Sequence, residues 1–380
     1  MGKEEFINFI QRERSFRIIP STDLDSLLAS AIILKNLALH GYDVKVNFDP
    51  KYIIDEPGEP QLLINLKPVQ SSKQFSLEPM RDTSISGLVV TVLDEMFGVD
   101  KWDKILALIS GIYRNLDTGQ DGFKGLEQSI SNYLLVSKEM GKEVGIKLWG
   151  HKRIGLAKSF ARTLIPFLPG FTGLRDRVED FLKKATKSAD VNRLQPIDIS
   201  TDEGRSTIVE LTNLIKKSIN IPQDYLKNYL MRLIGFNYTI LTEVGQIELL
   251  EVMGSILVFT SLKRENVFKT LGYAQQALFT QVLSIYEEVI DEVAALLGSA
   301  IPEQLLNGKP VDVEGFIERP DLIVDVANEM PMPNSKTPVS IIYNGGTYTV
   351  LRELLRIGVE PSKAYESCDE VQICAVTSNV

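Results

Sequence analysis

From the N-terminus to about residue 120, short apolar runs alternate with longer amphipathic ones. Phe16-Arg17-Ile18-Ile19 reads as a strand that leaves through Pro20-Ser21-Thr22 into Asp23-Leu24-Asp25, where an apolar helical run begins with Leu27-Leu28-Ala29. That helix is predicted over 25–39 and stops at Gly41, the residue type that best tolerates the left-handed turn after a helix. Residues 42–48 alternate as a half-buried strand does, and 61–66 form a short buried strand. Residues 84–97 are amphipathic and helical, closed by Gly98, and a further apolar run over 105–113 ends in the polar turn Asn115-Leu116-Asp117-Thr118-Gly119. Strands joined by helical crossovers predict a doubly wound parallel sheet, whose ligands collect beyond the C-terminal ends of the strands.

The pattern from 128 to 189 is helical, broken by the bend Pro166-Phe167-Leu168-Pro169-Gly170-Phe171-Thr172-Gly173, which is too apolar for a solvated linker. Ser200-Thr201-Asp202-Glu203 has capping-box spacing and opens a helix to 217, so the domain boundary is expected over 189–199. Beyond it a strand is predicted at 238–242, a helix at 246–261 and a long amphipathic helix at 273–297. The last stretch shifts to short strand signals at 322–324, 339–342 and 371–373, with a loop at Pro331-Met332-Pro333-Asn334. The expectation is an α/β protein: a doubly wound domain over 1–190, a helical connector and the start of a second lobe over 191–300, and a smaller C-terminal α/β lobe over 301–380.

Composition adds limits. The 380 residues are 44% hydrophobic and 24% charged, enough to bury a large core. No run approaches the roughly 18 apolar residues of a membrane span, and Met1-Gly2-Lys3-Glu4-Glu5 lacks a signal core, so a cytoplasmic location without membrane contact is expected. Cys368 and Cys374 read as idle thiols in a reducing interior. A net charge of −9 excludes nucleic-acid binding through the overall field and favours protein partners. Any DNA contact needs a local groove; the basic clusters are Lys152-Arg153, Lys183-Lys184 with Lys187, Lys216-Lys217 and Lys263-Arg264, the last with Tyr273 and Phe279 nearby as stacking surfaces. The competing reading of each is a solvated face. His40 reads as a helix C-terminal cap, and His151 as part of a solvated basic turn within reach of a phosphate.

Asp23 and Asp25 carry two readings. As hard oxygen ligands at a strand end they suit Mg²⁺ or Mn²⁺. As residues at a helix start, Asp23 caps the helix and Asp25 sits favourably in its first turn.

Ser21-Thr22-Asp23-Leu24-Asp25-Ser26 resembles the first motif of the DHH phosphoesterase superfamily, usually His-x-Asp-x-Asp-Gly before a helix. Asp82-Thr83-Ser84-Ile85-Ser86-Gly87 resembles the helix start after the family's Asp-His-His motif. Residues 106–119 resemble its fourth motif, a Gly-Ile strand ending in Asp-Thr-Gly, and the 167–173 bend resembles the Pro-Gly-Leu-Thr-Gly bend of the archaeal RecJ-like branch. The departures carry more meaning. Asn65 stands at the second-motif Asp, and no histidine occupies the Asp-His-His stretch. The strict fourth-motif register gives Asn115, with Asp117 reached only by a slip, and the C-terminal Gly-Gly-Gly-His signature is absent. The resemblance thus implies a RecJ-like replication factor of archaeal type without catalytic residues, with no cofactor beyond one weak Mg²⁺ or Mn²⁺ at Asp23 and Asp25. It implies assembly with GINS and the MCM helicase, with single-stranded DNA as a further candidate ligand and a C-terminal lobe related to a DNA-gripping domain. The alternative is a Mn²⁺- or Mg²⁺-dependent single-strand exonuclease or oligonucleotide phosphodiesterase using Asp23, Asp25 and Asp117.

Overall fold

A computed structural model describes residues 2–54, 58–69, 73–117, 121–186, 201–218, 232–301, 308–329 and 337–376. After the amphipathic helix α1 (Lys3–Arg12) the chain enters β1 (Ser15–Pro20), crosses through α2 (Leu24–Leu39) to β2 (Asp43–Val46), and returns to β3 (Gln61–Ile64) and β4 (Gln74–Leu77). All four strands are parallel, in the order β2-β1-β3-β4. The period of two sorts their side chains. Phe16, Ile18, Leu62 and Ile64 join the large helical core, whereas Ile19 and Leu63 face a separate cluster with Leu351, Leu354 and Tyr365 from the C-terminal residues. The parallel sheet is therefore covered on both faces.

On the first face, α2 packs against α3 (Ile85–Phe97) and α4 (Lys101–Tyr113). The run over 105–113 is thus helical rather than the strand that the family resemblance implies. Nearly all of α4 is buried, so its apolar content shows no periodicity, and a continuous apolar run does not distinguish a buried helix from a buried strand. Next come α5 (Gly125–Val136), β5 (Met140–Ile146), α6 (Leu156–Arg162), α7 (Arg175–Thr186) and α8 (Asp202–Ser218). β5 interrupts the stretch predicted to be helical. It is polar and glycine-bearing, and its conformation follows from antiparallel pairing with the distant β6 (Ile234–Thr242), which also pairs with β7 (Gly245–Glu248). The expected boundary over 189–199 lies outside the described residues.

The bend over 166–173 packs as expected. Phe167, Leu168 and Phe171 are fully buried, and the Gly173 N–H donates to Ala161 O at 2.8 Å. A Cβ on Gly298 would lie 2.1 Å from Thr172 O, so glycine alone admits this approach of the bend to α10 (Gln276–Ala300). Before it, α9 (Leu249–Leu262) follows β7, which takes Gln246 out of the predicted helix, and Tyr273 lies in a 3-10 turn rather than in α10.

The C-terminal lobe holds β8 (Val311–Asp312), α11 (Asp321–Glu329), β9 (Ile341–Tyr343), β10 (Gly346–Val350), α12 (Leu351–Arg356), α13 (Pro361–Ser367) and β11 (Ile373–Ala375). Its sheet runs β11-β10-β9-β8. Leu322-Ile323-Val324 is helical; three apolar residues are too few to show the period that the whole helix has. The loop expected at Pro331-Met332-Pro333-Asn334 lies outside the described residues. Cys368 and Cys374 are not idle thiols: they face each other across an isolated antiparallel bridge and form a disulfide. Among the described residues no helix is long and apolar enough to cross a membrane.

Candidate functional site

The order β2-β1-β3-β4 reverses between β1 and β3, and a doubly wound sheet opens its ligand crevice at that switch point. β1 delivers Asp23 there and β3 delivers Asn65, joined by the Ser21 N–H donating to Ile64 O at 2.8 Å. Asp23 is the N-cap of α2. Its carboxylate accepts from Ser26 N at 3.1 Å, Ser26 Oγ at 2.7 Å and Asn65 Nδ2 at 2.9 Å. Asn65 and Asn115 both have left-handed backbones, with φ of 56° and 57°, a conformation asparagine accepts more readily than most residues. Both line the same cleft as Asp23.

Asp25 is engaged elsewhere. It accepts from Ile85 N, Ser86 N and Ser86 Oγ, each at 2.9 Å, at the N-terminus of α3. Glu127 of α5 accepts from Ser84 N at 2.7 Å and Ser84 Oγ at 2.5 Å, while Gly87 N donates to Ser84 Oγ at 2.9 Å. Carboxylates from two other helices thus satisfy N–H groups that a helix start leaves without internal partners, and the helix dipole favours them there.

The cleft measures about 330 Å³. Its far wall comes from the C-terminal lobe. Arg352 donates to Asp325 Oδ1 at 2.5 Å, to Tyr113 Oη at 2.8 Å and to Asp321 O at 3.0 Å, and Thr22 Oγ1 donates to Asp321 Oδ1 at 2.8 Å. Asn115 Nδ2 donates to Glu329 at 3.3 Å, and Arg232 donates to the same carboxylate at 2.7 Å. Burial pushes the Asp23 carboxyl up, but the Arg352 charge and the Asn65 and Ser26 donors outweigh it and hold the group below its ordinary value. Burial, then the Asp23 charge, push Asp25 up. Burial also drives Asp325 to about 6 despite Arg352.

A two-metal phosphoesterase centre needs several free ionised oxygens converging on ions about 3.5–4 Å apart. Here Asp25 is hydrogen-bonded inside the protein, an amide donates to Asp23, and the remaining acids of the cleft are paired to arginines. The residues do not fit such a pair of ions.

Asp117 is not brought to Asp23. It is buried and paired with Lys147 Nζ at 2.8 Å, and burial raises its carboxyl despite that ammonium. Lys152 pairs with Glu143 at 2.9 Å, and Arg153 with Glu251 and Glu287. Lys263 is exposed at the C-cap of α9, where Arg264 pairs with Asp369. Arg153 reaches one end of α9 and Arg264 follows the other. At 1.5 Å per helical residue, the contact points Glu251 and Arg264 are about 20 Å apart. Tyr273 and Phe279 are not stacking surfaces, because both are buried in the core, Phe279 against Trp102. His40 is the C-cap of α2 as expected. His151 is not in a solvated turn: it is 4% exposed, between Glu143 and Glu248. Sequence reasoning missed Arg352, Asp325 and Glu329, which no motif marks.

No family model and no curated protein matches the sequence. The structure is similar to that of CDC45 from Entamoeba histolytica, with a TM-score of 0.51 at 9% identity over 91% of this chain and 88% of that one. The chain has a CDC45-type fold. It is also similar, at lower scores, to two structures of RecJ. RecJ from Thermus thermophilus in complex with Mn²⁺ gives 0.33 at 13% identity, over 91% of this chain and 46% of that one. An exonuclease RecJ bound to manganese gives 0.35 at 11% identity, over 92% and 81%.

Within this CDC45-type fold, the buried contacts of α3 make stability depend on pH. Burial raises the Glu127 carboxyl from 4.5 to about 7. The folded state then holds its proton more tightly than the unfolded chain. Its contribution is full below pH 4.5 and is lost as pH rises to about 7. The loss amounts to about 3 kcal/mol. Denaturant titrations at pH 5 and pH 8 are expected to show lower stability at pH 8, and Glu127→Gln to flatten that difference. An unchanged difference in the variant would refute the assignment.

Proposed function

We propose that the protein is a non-catalytic RecJ-like DNA replication factor that assembles with GINS and the MCM ring to activate the replicative helicase. The observation that carries this reading is the Asn65 amide donating to Asp23 across the switch point. A ligand pair would present two anions there; this chain presents a neutral donor and a carboxylate that already uses it. The motif resemblance to the RecJ-like branch and the CDC45-type fold support the same reading. The net charge of −9 suits a protein whose main contacts are other proteins. The cleft keeps a second role within this reading. Arg114 lines it, is exposed and has no ion pair among the described residues, so a single strand entering the crevice would meet one uncommitted guanidinium.

Two measurements test the proposal. Purified protein incubated with end-labelled single strands and Mn²⁺ is expected to leave them intact. Cleavage that disappears in Asp23→Ala would establish the nuclease reading instead. Affinity purification from native extract is expected to recover GINS and MCM subunits, and recovery of the chain alone would sink the helicase role.

A further inference from the structure

We propose that Glu143, His151 and Glu248 form a binding site for one zinc ion, remote in function from the sheet-switch cleft. The antiparallel register builds it. Glu143 on β5 lies opposite Asn237 on β6, and Thr239 on β6 lies opposite Glu248 on β7. Asn237 and Thr239 are two residues apart, so the four side chains leave one face of the sheet, with a glutamate on each flank of β6. His151 opens the short helix His151–Ile154, which packs against β7. Its Nδ1 lies 2.5 Å from Glu248 Oε1 and its Nε2 lies 3.6 Å from Glu143 Oε1. One ligand atom from each of the three residues falls within 4.8 Å of the others.

The second observation is what these atoms lack. His151 is 4% exposed and Glu248 2%. Neither ring nitrogen, neither Glu248 oxygen, nor Glu143 Oε1 has a hydrogen-bond partner among the described residues, and the short Nδ1 contact is not aligned as one. A buried carboxylate without donors costs several kcal/mol unless a cation compensates it. The neighbouring cations are committed, Lys152 to Glu143 Oε2 at 2.9 Å and Arg153 to Glu251 and Glu287. One divalent ion would satisfy all three residues together. An imidazole with two carboxylates is a donor set that suits zinc better than magnesium or calcium. Asn237 Oδ1, on the same face and also without a partner among the described residues, supplies a candidate fourth oxygen. Lys152 on the outer Glu143 oxygen is the kind of support that orients a metal-binding carboxylate. The ion would tie β5, β7 and the turn at His151 into one unit.

Metal analysis of the full chain, purified without chelator and incubated with Zn²⁺ before desalting, is expected to give about one zinc per chain. His151→Ala and Glu248→Ala are expected to lose it. His40→Ala, which alters the only other histidine, is expected to keep it. Should the buried variants fail to fold, Glu143→Gln at the half-exposed rim decides, with zinc affinity expected to fall at least about tenfold in calorimetric titration. A folded wild-type chain that retains no zinc and gives no titration would overturn the proposal in favour of a direct contact of His151 with the two carboxylates. Full zinc retention in His151→Ala would overturn it as well.

Discussion

Arg352→Ala is expected to lower stability by about 3 kcal/mol in denaturant titration, because it strands buried carboxylates rather than merely removing a contact. Arg352 stands at the head of α12 and its guanidinium binds Asp325 at 2.5 Å, the Tyr113 hydroxyl at 2.8 Å and the Asp321 carbonyl at 3.0 Å. These partners lie on α4 and α11, so one side chain joins the helical layer, the C-terminal lobe and the wall of the cleft. Asp325 is 6% exposed and keeps no other cation among the described residues once Arg352 is gone. Two further variants separate charge from packing. Arg352→Lys is expected to recover only part of the loss, since a lysine ammonium lacks the planar fork that presents donors to Asp325, Tyr113 and Asp321 at once. Adding Asp325→Ala to Arg352→Ala is expected to restore some stability by removing the stranded anion. A single variant within about 0.5 kcal/mol of wild type would mean that the pair is a surface contact.

Asp25→Ala is expected to cost a similar amount, about 3 kcal/mol, through unpaired buried donors at the start of α3. Asp25 is 1% exposed, and its truncation removes the acceptor of the Ile85 and Ser86 N–H groups inside the packed contact of α2 with α3. Asp25→Asn keeps one acceptor and is expected to lose less. Its remaining NH₂ would face a backbone N–H, so it does not fully substitute. An unchanged denaturation midpoint in Asp25→Ala would show that the carboxylate is free, and would restore it as a candidate metal ligand.

The first hundred residues were largely legible because their signals are local. Asp23, Ser84 and His40 announce helix ends by side-chain type, and the structure uses all three as caps. Asp23, Asn65 and Asn115, singled out by their spacing, line one cleft. Short apolar runs mislead first: 105–113 and 322–324 lie in the helices α4 and α11, and an apolar run of that length does not distinguish a buried helix from a buried strand. Polar segments mislead next. β5 is a strand because β6 pairs with it from nearly a hundred residues away, and no local preference encodes that partner.

The chain by itself determined the parallel α/β start, the caps at its turns and the placing of Asn65 and Asn115 rather than acids near Asp23, since each depends on residue type and short spacing. Folding decided what the remaining charges do. Asp23 meets an amide, Asp25 is spent on α3, Arg352 closes the cleft from the far end of the chain, and His151 is buried between two glutamates. Those roles rest on ion pairs and hydrogen bonds between distant segments, whose strength comes from excluding water, and only the packed structure brings the segments together and keeps the water out.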